Sequence, residues 1–165
     1  MRLCLLSLLL STSLLSVHAG TERPAAVDSN ELRAWFSLTK DEARVRRDWA
    51  RSTATPEIQP VDRAKAGDQV STVTMFQGCS PNRTGNCELT AKFSIEMPTG
   101  QRIEAGGCNL WSSRPLDGQM MLGAVGARLP VASNWMAGRY VVHVTITDHV
   151  ASRAIDLASP FEVAP

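Results

Sequence analysis

The chain has no charge of one sign to spare. Its 17 lysines and arginines stand against 16 aspartates and glutamates in 165 residues. A nucleic-acid footprint needs clustered positive charge, so this balance excludes that class of partner. Histidine is scarce as well. Apart from His18 near the start there are only His143 and His149. Six residues apart on a strand, they would stand ~20 Å from each other and cannot share one metal ion. There is no Cys-x-x-Cys, G-x-S-x-G, H-E-x-x-H, phosphate loop or dinucleotide fingerprint. No cofactor and no metal site are therefore expected. No βαβ alternation and no internal repeat appear, and only one apolar run is long.

That run opens the chain, as "MRLCLLSLLLSTSLLSVHAG". Arg2 supplies a positive n-region, and Val17 and Ala19 put small residues at the −3 and −1 positions. The run is too short and too broken by serine to span ~30 Å of hydrocarbon. Residues 1–19 read as a secretory signal peptide. Cys4 sits too early for a lipoprotein cleavage box. Without the leader, 165 less 19 residues remain, or 146, with 16 basic against 16 acidic side chains. That is a normal size for one domain with a core of its own. No later run is long enough to cross a membrane, so a periplasmic or secreted protein is expected.

Residues 20–31 are polar and aperiodic and read as a flexible lead; the domain proper is expected over 32–165. "LRAWFSLT" (32–39) reads as a first strand. Over 39–52, Thr39 and Glu42 have capping-box spacing, and Val45 and Trp49 lie one helical turn apart. This predicts one short helix. Its four arginines are balanced by Asp41, Glu42 and Asp48, which suits a solvated face. Residues 52–68 hold two prolines and read as a connection. Beyond them the period becomes two. In 87–97, Leu89, Ala91, Phe93, Ile95 and Met97 alternate with polar residues. Residues 101–111 read as a weak strand and 120–131 as a glycine-loosened one. In 139–149, Tyr140, Val142, Val144 and Ile146 point inward. Ile155, Leu157, Phe161 and Val163 share a face of the last element, which Pro160 marks as an edge strand or a broken one. Short strands at this spacing, with one helix near the front, predict an antiparallel two-sheet sandwich.

"GCSPNRTGNC" (78–87) poses the sharpest chemical question. Its cysteines are too far apart for a zinc knuckle or a redox pair. Asn82-Arg83-Thr84 is a glycosylation sequon, a three-residue pattern that arises often by chance. In strand register Cys79 and Cys87 turn to the same side at the mouth of a hairpin, and export permits a bond between them. Closing a loop of ~9 residues contributes about 2.6 kcal/mol in the chain-entropy description. Cys108 is then left over; a buried free thiol among Ile103, Leu110 and Trp111 is favoured, the alternatives being an intermolecular bond or displacement of one of the other two cysteines.

Other groups invite chemistry. Asp148 and Asp156 flank the final hairpin and could approach each other; they would be the acids of a glycan- or cell-wall-acting enzyme, but ordinary turn and edge aspartates are the favoured reading. Trp35, Trp49, Trp111 and Trp135 share no derivable face, so packing is favoured over a sugar platform. Val141, His143, Thr145 and Thr147 form an outward stripe, uncharged and β-branched apart from the histidine. It is a candidate interaction face, or else the solvated side of a sheet.

The stretch "FQGCSPNRTGNCELTAKFSIEMPTGQ", the pair Leu110-Trp111 and "LPVASNWMAGRYVVHVTITDHVASRAIDLASPFEV" together resemble a group of small uncharacterised exported bacterial proteins. Gly138, Tyr140, Val142, Asp148, Leu157, Phe161 and Val163 match that group's closing strand pair. The turn Pro115-Leu116-Asp117-Gly118 departs from its usual form, and Cys108 has no counterpart in the pattern. The resemblance covers about residues 70–165 and, loosely, 32–50. It implies an immunoglobulin-like β-sandwich and an exported compartment, and it carries no activity. The expectation for function is an exported non-catalytic module with a protein partner. The alternatives are a glycan-acting enzyme or subunit, and an inhibitor or immunity protein for an exported toxin.

Overall fold

The computed structural model of the chain describes residues 25–29, 32–52, 54–116 and 118–165. The leader read over 1–19, and residues 20–24, 30 and 31 of the lead, lie outside these. Among these described residues ten strands, β1 to β10, form two sheets and one helix, α1, accompanies them. Sheet A runs β1 (Ala25–Ser29), β2 (Leu32–Thr39) and β4 (Gln69–Gln77), with β7 (Met121–Leu122) and β8 (Arg128–Pro130) both on the far flank of β4. Sheet B runs β3 (Arg63–Ala64), β10 (Arg153–Val163), β9 (Gly138–Asp148), β5 (Leu89–Glu96) and β6 (Arg102–Trp111). Every pairing is antiparallel except the short one between β10 and β3.

The two sheets close face to face over one core. Phe36 of sheet A meets Phe93 of sheet B at 6.4 Å between ring centres. Alternation dictates this on β9, where Tyr140, Val142, Val144 and Ile146 are buried and the residues between them half-buried. Ile155, Leu157, Phe161 and Val163 of β10 join the same core. β10 is continuous through Pro160, which stands opposite Val141. Its β3 flank is paired only at Glu162 and Val163, so the missing N–H of the proline breaks no ladder.

β4 behaves differently, being buried on both faces. Val70 and Phe76 enter the core between the sheets, while Val73 and Met75 lie under α1 (Glu42–Arg51) beside Val45, Trp35 and Trp49. The shared stripe of Val45 and Trp49 thus docks on the outside of sheet A. The helix begins later than its capping-box reading. Thr39 keeps its ladder place opposite Ser71, and Asp41 is the cap, accepting from the Arg44 N–H at 2.9 Å.

Three further expectations need correction. Residues 25–29, read as part of a flexible lead, are β1, because main-chain pairing to residues 32–36 needs no apolar period. Residues 120–131 are two short strands and not one. Between them Gly126 approaches β4 so closely that a Cβ there would lie 2.1 Å from the Thr72 carbonyl oxygen. Finally, β4 and β5 do not form a hairpin. They belong to different sheets, and residues 78–88 cross from one to the other.

The β4 core face contains one unmet polar group. Thr72 Oγ1 accepts from the Ala127 N–H at 2.7 Å, whereas buried Thr74 Oγ1 has no hydrogen-bond partner among the described residues. A buried hydroxyl without a partner destabilises. Thr74→Val is therefore expected to raise stability by about 1 kcal/mol, and Thr72→Val to lower it. Urea denaturation of the two variants checks the opposite signs.

Candidate functional site

The outer face of sheet B is the one broad sheet face that no described helix or strand covers. α1 occupies the corresponding face of sheet A. The predicted stripe of Val141, His143, Thr145 and Thr147 runs down its middle, half-buried on the central strand β9. Register places Glu96, Ser94, Lys92 and Thr90 of β5 along one side. Pro160, Ala158, Asp156 and Ala154 of β10 line the other.

Polar side chains tie these rows together. His143 Nε2 lies 3.1 Å from Glu96 Oε2. Thr145 Oγ1 donates to Asp156 Oδ1 at 2.5 Å. His149 Nε2 and Thr90 Oγ1 are 2.9 Å apart. Arg102 Nε donates to Ser94 Oγ at 2.6 Å, which covers that outward serine. The two histidines thus have separate partners. Across the face, small and β-branched groups lie at the centre, with Glu96, Lys92 and Asp156 beside them. Such a surface can present a mixed polar and apolar contact.

Asp148 and Asp156 do not meet. Odd and even positions of a strand face opposite ways, and the register puts Asp148 opposite Arg153 but Asp156 opposite Thr145. Asp148 is 0% exposed. Its Oδ2 accepts from the Ser80 N–H at 2.9 Å, and its Oδ1 from the N–H groups of Val150 and Ala151 at 3.1 Å. Arg153 approaches at 3.7 Å and also donates to Ser80 Oγ at 2.7 Å. The carboxylate therefore holds the β9–β10 turn to the crossover of 78–88. Asp156 stands exposed on the other face. The acid pair read from the final hairpin is not assembled.

Cys79 and Cys87 are joined, with Cα atoms 6.0 Å apart. The staple closes the crossover between the sheets, beside the Asp148 corner. Within it Asn82 Oδ1 accepts from Thr84 N–H, Thr84 Oγ1 and Asn86 N–H, and Asn82 Nδ2 donates to Glu88 at 2.7 Å. The asparagine of the sequon thus organises its own loop. Cys108 is free and only half-buried, a correction to its expected burial. It points inward from β6, an edge strand, so one side of it meets solvent. Partial burial raises its thiol pKa. The tryptophans are dispersed. Trp35 and Trp49 pack near α1, Trp111 meets Phe76 edge-on at 5.7 Å, and Trp135 stacks on Tyr140 at 4.8 Å. Among the described residues no three His, Cys, Asp or Glu side chains are grouped to hold a metal ion. No described helix is long and apolar enough to cross a membrane.

One charged network escaped the sequence reading. Glu42, 8% exposed, pairs with Arg46 at 2.7 Å and with Arg128 at 3.1 Å. The i,i+4 spacing to Arg46 is visible in the sequence; the reach to Arg128 is not. Burial alone would raise the Glu42 pKa, but the two guanidiniums outweigh it and hold the carboxyl below its usual range. A carboxyl with a lowered folded-state pKa stabilises above its unfolded value of about 4.3. That contribution disappears as pH falls through the lower folded value. Glu42→Gln is expected to cost about 1–3 kcal/mol at pH 7. The gap to the natural protein should hold to about pH 5 and close as pH falls through the lowered folded value. Denaturation midpoints across that range measure it.

No family model matches the chain, and no curated protein matches it in sequence. Solved structures do share parts of its shape. The alkylpurine DNA glycosylase AlkC of Pseudomonas fluorescens, bound to DNA with an abasic-site analogue, is 14% identical with a TM-score of 0.43; the match covers 63% of this chain and 28% of that one. A family 123 glycoside hydrolase from Clostridium perfringens is 11% identical with a TM-score of 0.46, over 79% of this chain and 27% of that one. An immunoglobulin-like protein from Pseudomonas aeruginosa is 12% identical with a TM-score of 0.35, over 86% and 95%. The chain thus spans little more than a quarter of the two enzymes, and likenesses this distant assign it no activity.

Proposed function

We propose that this chain is an exported, non-catalytic immunoglobulin-like module that binds a protein partner through the outer face of sheet B. The observation that carries the proposal is the uncovered stripe of Val141, His143, Thr145 and Thr147. It occupies the centre of a sheet whose counterpart is capped by α1. Export is supported by the leader read over 1–19 and by the Cys79–Cys87 bond, which persists in oxidising compartments. The immunoglobulin-like reading is supported by Tyr140. Near the start of β9, its hydroxyl donates to the Met136 carbonyl, four residues upstream, at 3.1 Å. This is the contact of a tyrosine corner.

The test uses the chain from residue 20 onward as bait in a periplasmic extract, with mass spectrometry of what it retains. A second bait carries Val141→Lys and Thr145→Lys. Both positions face outward, so equal melting temperatures are expected. A protein retained by the first bait and lost from the second supports the proposal. Turnover of a glycan or cell-wall substrate by the purified domain would overturn it.

A further inference from the structure

We propose that β6 pairs with β6 of a second copy of this chain, antiparallel and centred on Ile103. β6 is the terminal strand of sheet B. Near its end the outer flank is occupied, since the Ala124 N–H bonds the Leu110 carbonyl at 2.9 Å and Cys108 Sγ lies 3.7 Å from the Val125 carbonyl. Over 102–107 that flank has no main-chain partner among the described residues. The edges at β1, β3, β7 and β8 are only two to five residues long, and the flank of β10 left open beside β3 carries Pro160, which has no N–H to offer a further strand. The first half of β6 is thus a ready template for another strand.

Its side chains select the partner. Arg102 and Glu104 lie on the outer face, opposite Glu96 and Ser94, while Ile103 between them is 42% exposed. The Glu104 carboxylate has no partner among the described residues, and Arg102 engages only its Nε. Charges on an edge usually repel a further strand. Here one residue of each sign stands two positions apart, which changes the outcome for a twofold pair. Two copies related by an axis perpendicular to the sheet must centre on one residue facing itself. Centring on Arg102 sets arginine against arginine. Centring on Glu104 sets glutamate against glutamate. Centring on Ile103 sets Arg102 against Glu104 twice and covers Ile103 with its twin. Opposite charges directly across strands stabilise, and like charges destabilise, so only the last register is favoured. A bulge at Ala105 and the turn before residue 101 keep the ladder short. The product joins two five-stranded sheets into one. This inference is independent of the protein-partner reading.

Sedimentation analysis of the chain from residue 20 tests it, in a Cys108→Ser background that removes dimers made by oxidation. A concentration-dependent dimer is expected. Arg102→Glu and Glu104→Arg, each alone, should weaken it by about tenfold or more. The double reversal Arg102→Glu/Glu104→Arg should restore it to within about threefold of the starting affinity. Both residues are exposed, so a monomer that melts normally is expected throughout. A chain that stays monomeric at the highest soluble concentration would overturn the proposal. So would a dimer indifferent to the single reversals, or a double reversal no stronger than either single one.

Discussion

Asp148→Ala is expected to destabilise the domain by about 3–5 kcal/mol, the range for removing one partner of a buried ion pair. The effect has two sources. Three main-chain N–H groups, of Ser80, Val150 and Ala151, lose their acceptor. Arg153, mostly buried, loses the carboxylate 3.7 Å away. Asp148→Asn should be milder yet clearly destabilising, because its amide can supply only one acceptor oxygen where two carboxylate oxygens are in use. Denaturant unfolding of the two variants gives the order. A loss near zero for both would mean that the carboxylate is not the clamp of this corner. Its burial behind the turn also separates it from chemistry, since an acid catalyst must reach its substrate.

Val144→Asp should be at least as damaging, with a loss above about 4 kcal/mol, enough to unfold a domain of ordinary stability. Val144 is buried on the central strand of sheet B, opposite Phe93 on one side and Leu157 on the other. A carboxylate there has no donor to meet it and displaces the contact between the sheets. Thr147→Asp, on the same strand but facing outward between Thr90 and Ala154, has no acid opposite it and should leave melting nearly unchanged. The pair of results reads the register of β9 directly. Loss of melting for Thr147→Asp alone would reverse the register.

Much of sheet B was legible because its strands are buried on one face only. In β5 and β9 the period of two survives in the sequence, so Phe93, Ile95, Val142, Val144 and Ile146 declare themselves. Sheet A was less legible. β4 carries Val70, Thr72, Val73, Thr74, Met75 and Phe76 with both faces buried, so its residues announce a strand but not which side meets which layer. That also hid the crossover. Two cysteines eight positions apart look the same at the mouth of a hairpin and across a passage between sheets. The bond was readable from the spacing and the exported context, but the hairpin register that supported it does not exist; its place in the topology depends on pairings far along the chain. β1 was invisible for a different reason, since strand addition through the main chain leaves little mark on composition. At the candidate site the stripe was readable from alternation. The neighbours that flank it, Glu96 beside His143 and Asp156 beside Thr145, come from other strands. Asp148 and Asp156 look close enough in the sequence to approach each other across the hairpin, and only strand parity, fixed by the register, sets them on opposite faces.

The most direct test of the central claim is the affinity of the captured partner for three forms of the purified domain, measured by titration calorimetry. The forms are the natural chain, Val141→Lys/Thr145→Lys on the outer face of sheet B, and Arg47→Glu on the exposed side of α1, across the molecule. The double lysine variant should bind at least about tenfold more weakly, a loss near 1.4 kcal/mol, while Arg47→Glu binds like the natural chain. Equal affinity of the natural and double lysine forms would contradict the account, and so would a loss confined to Arg47→Glu.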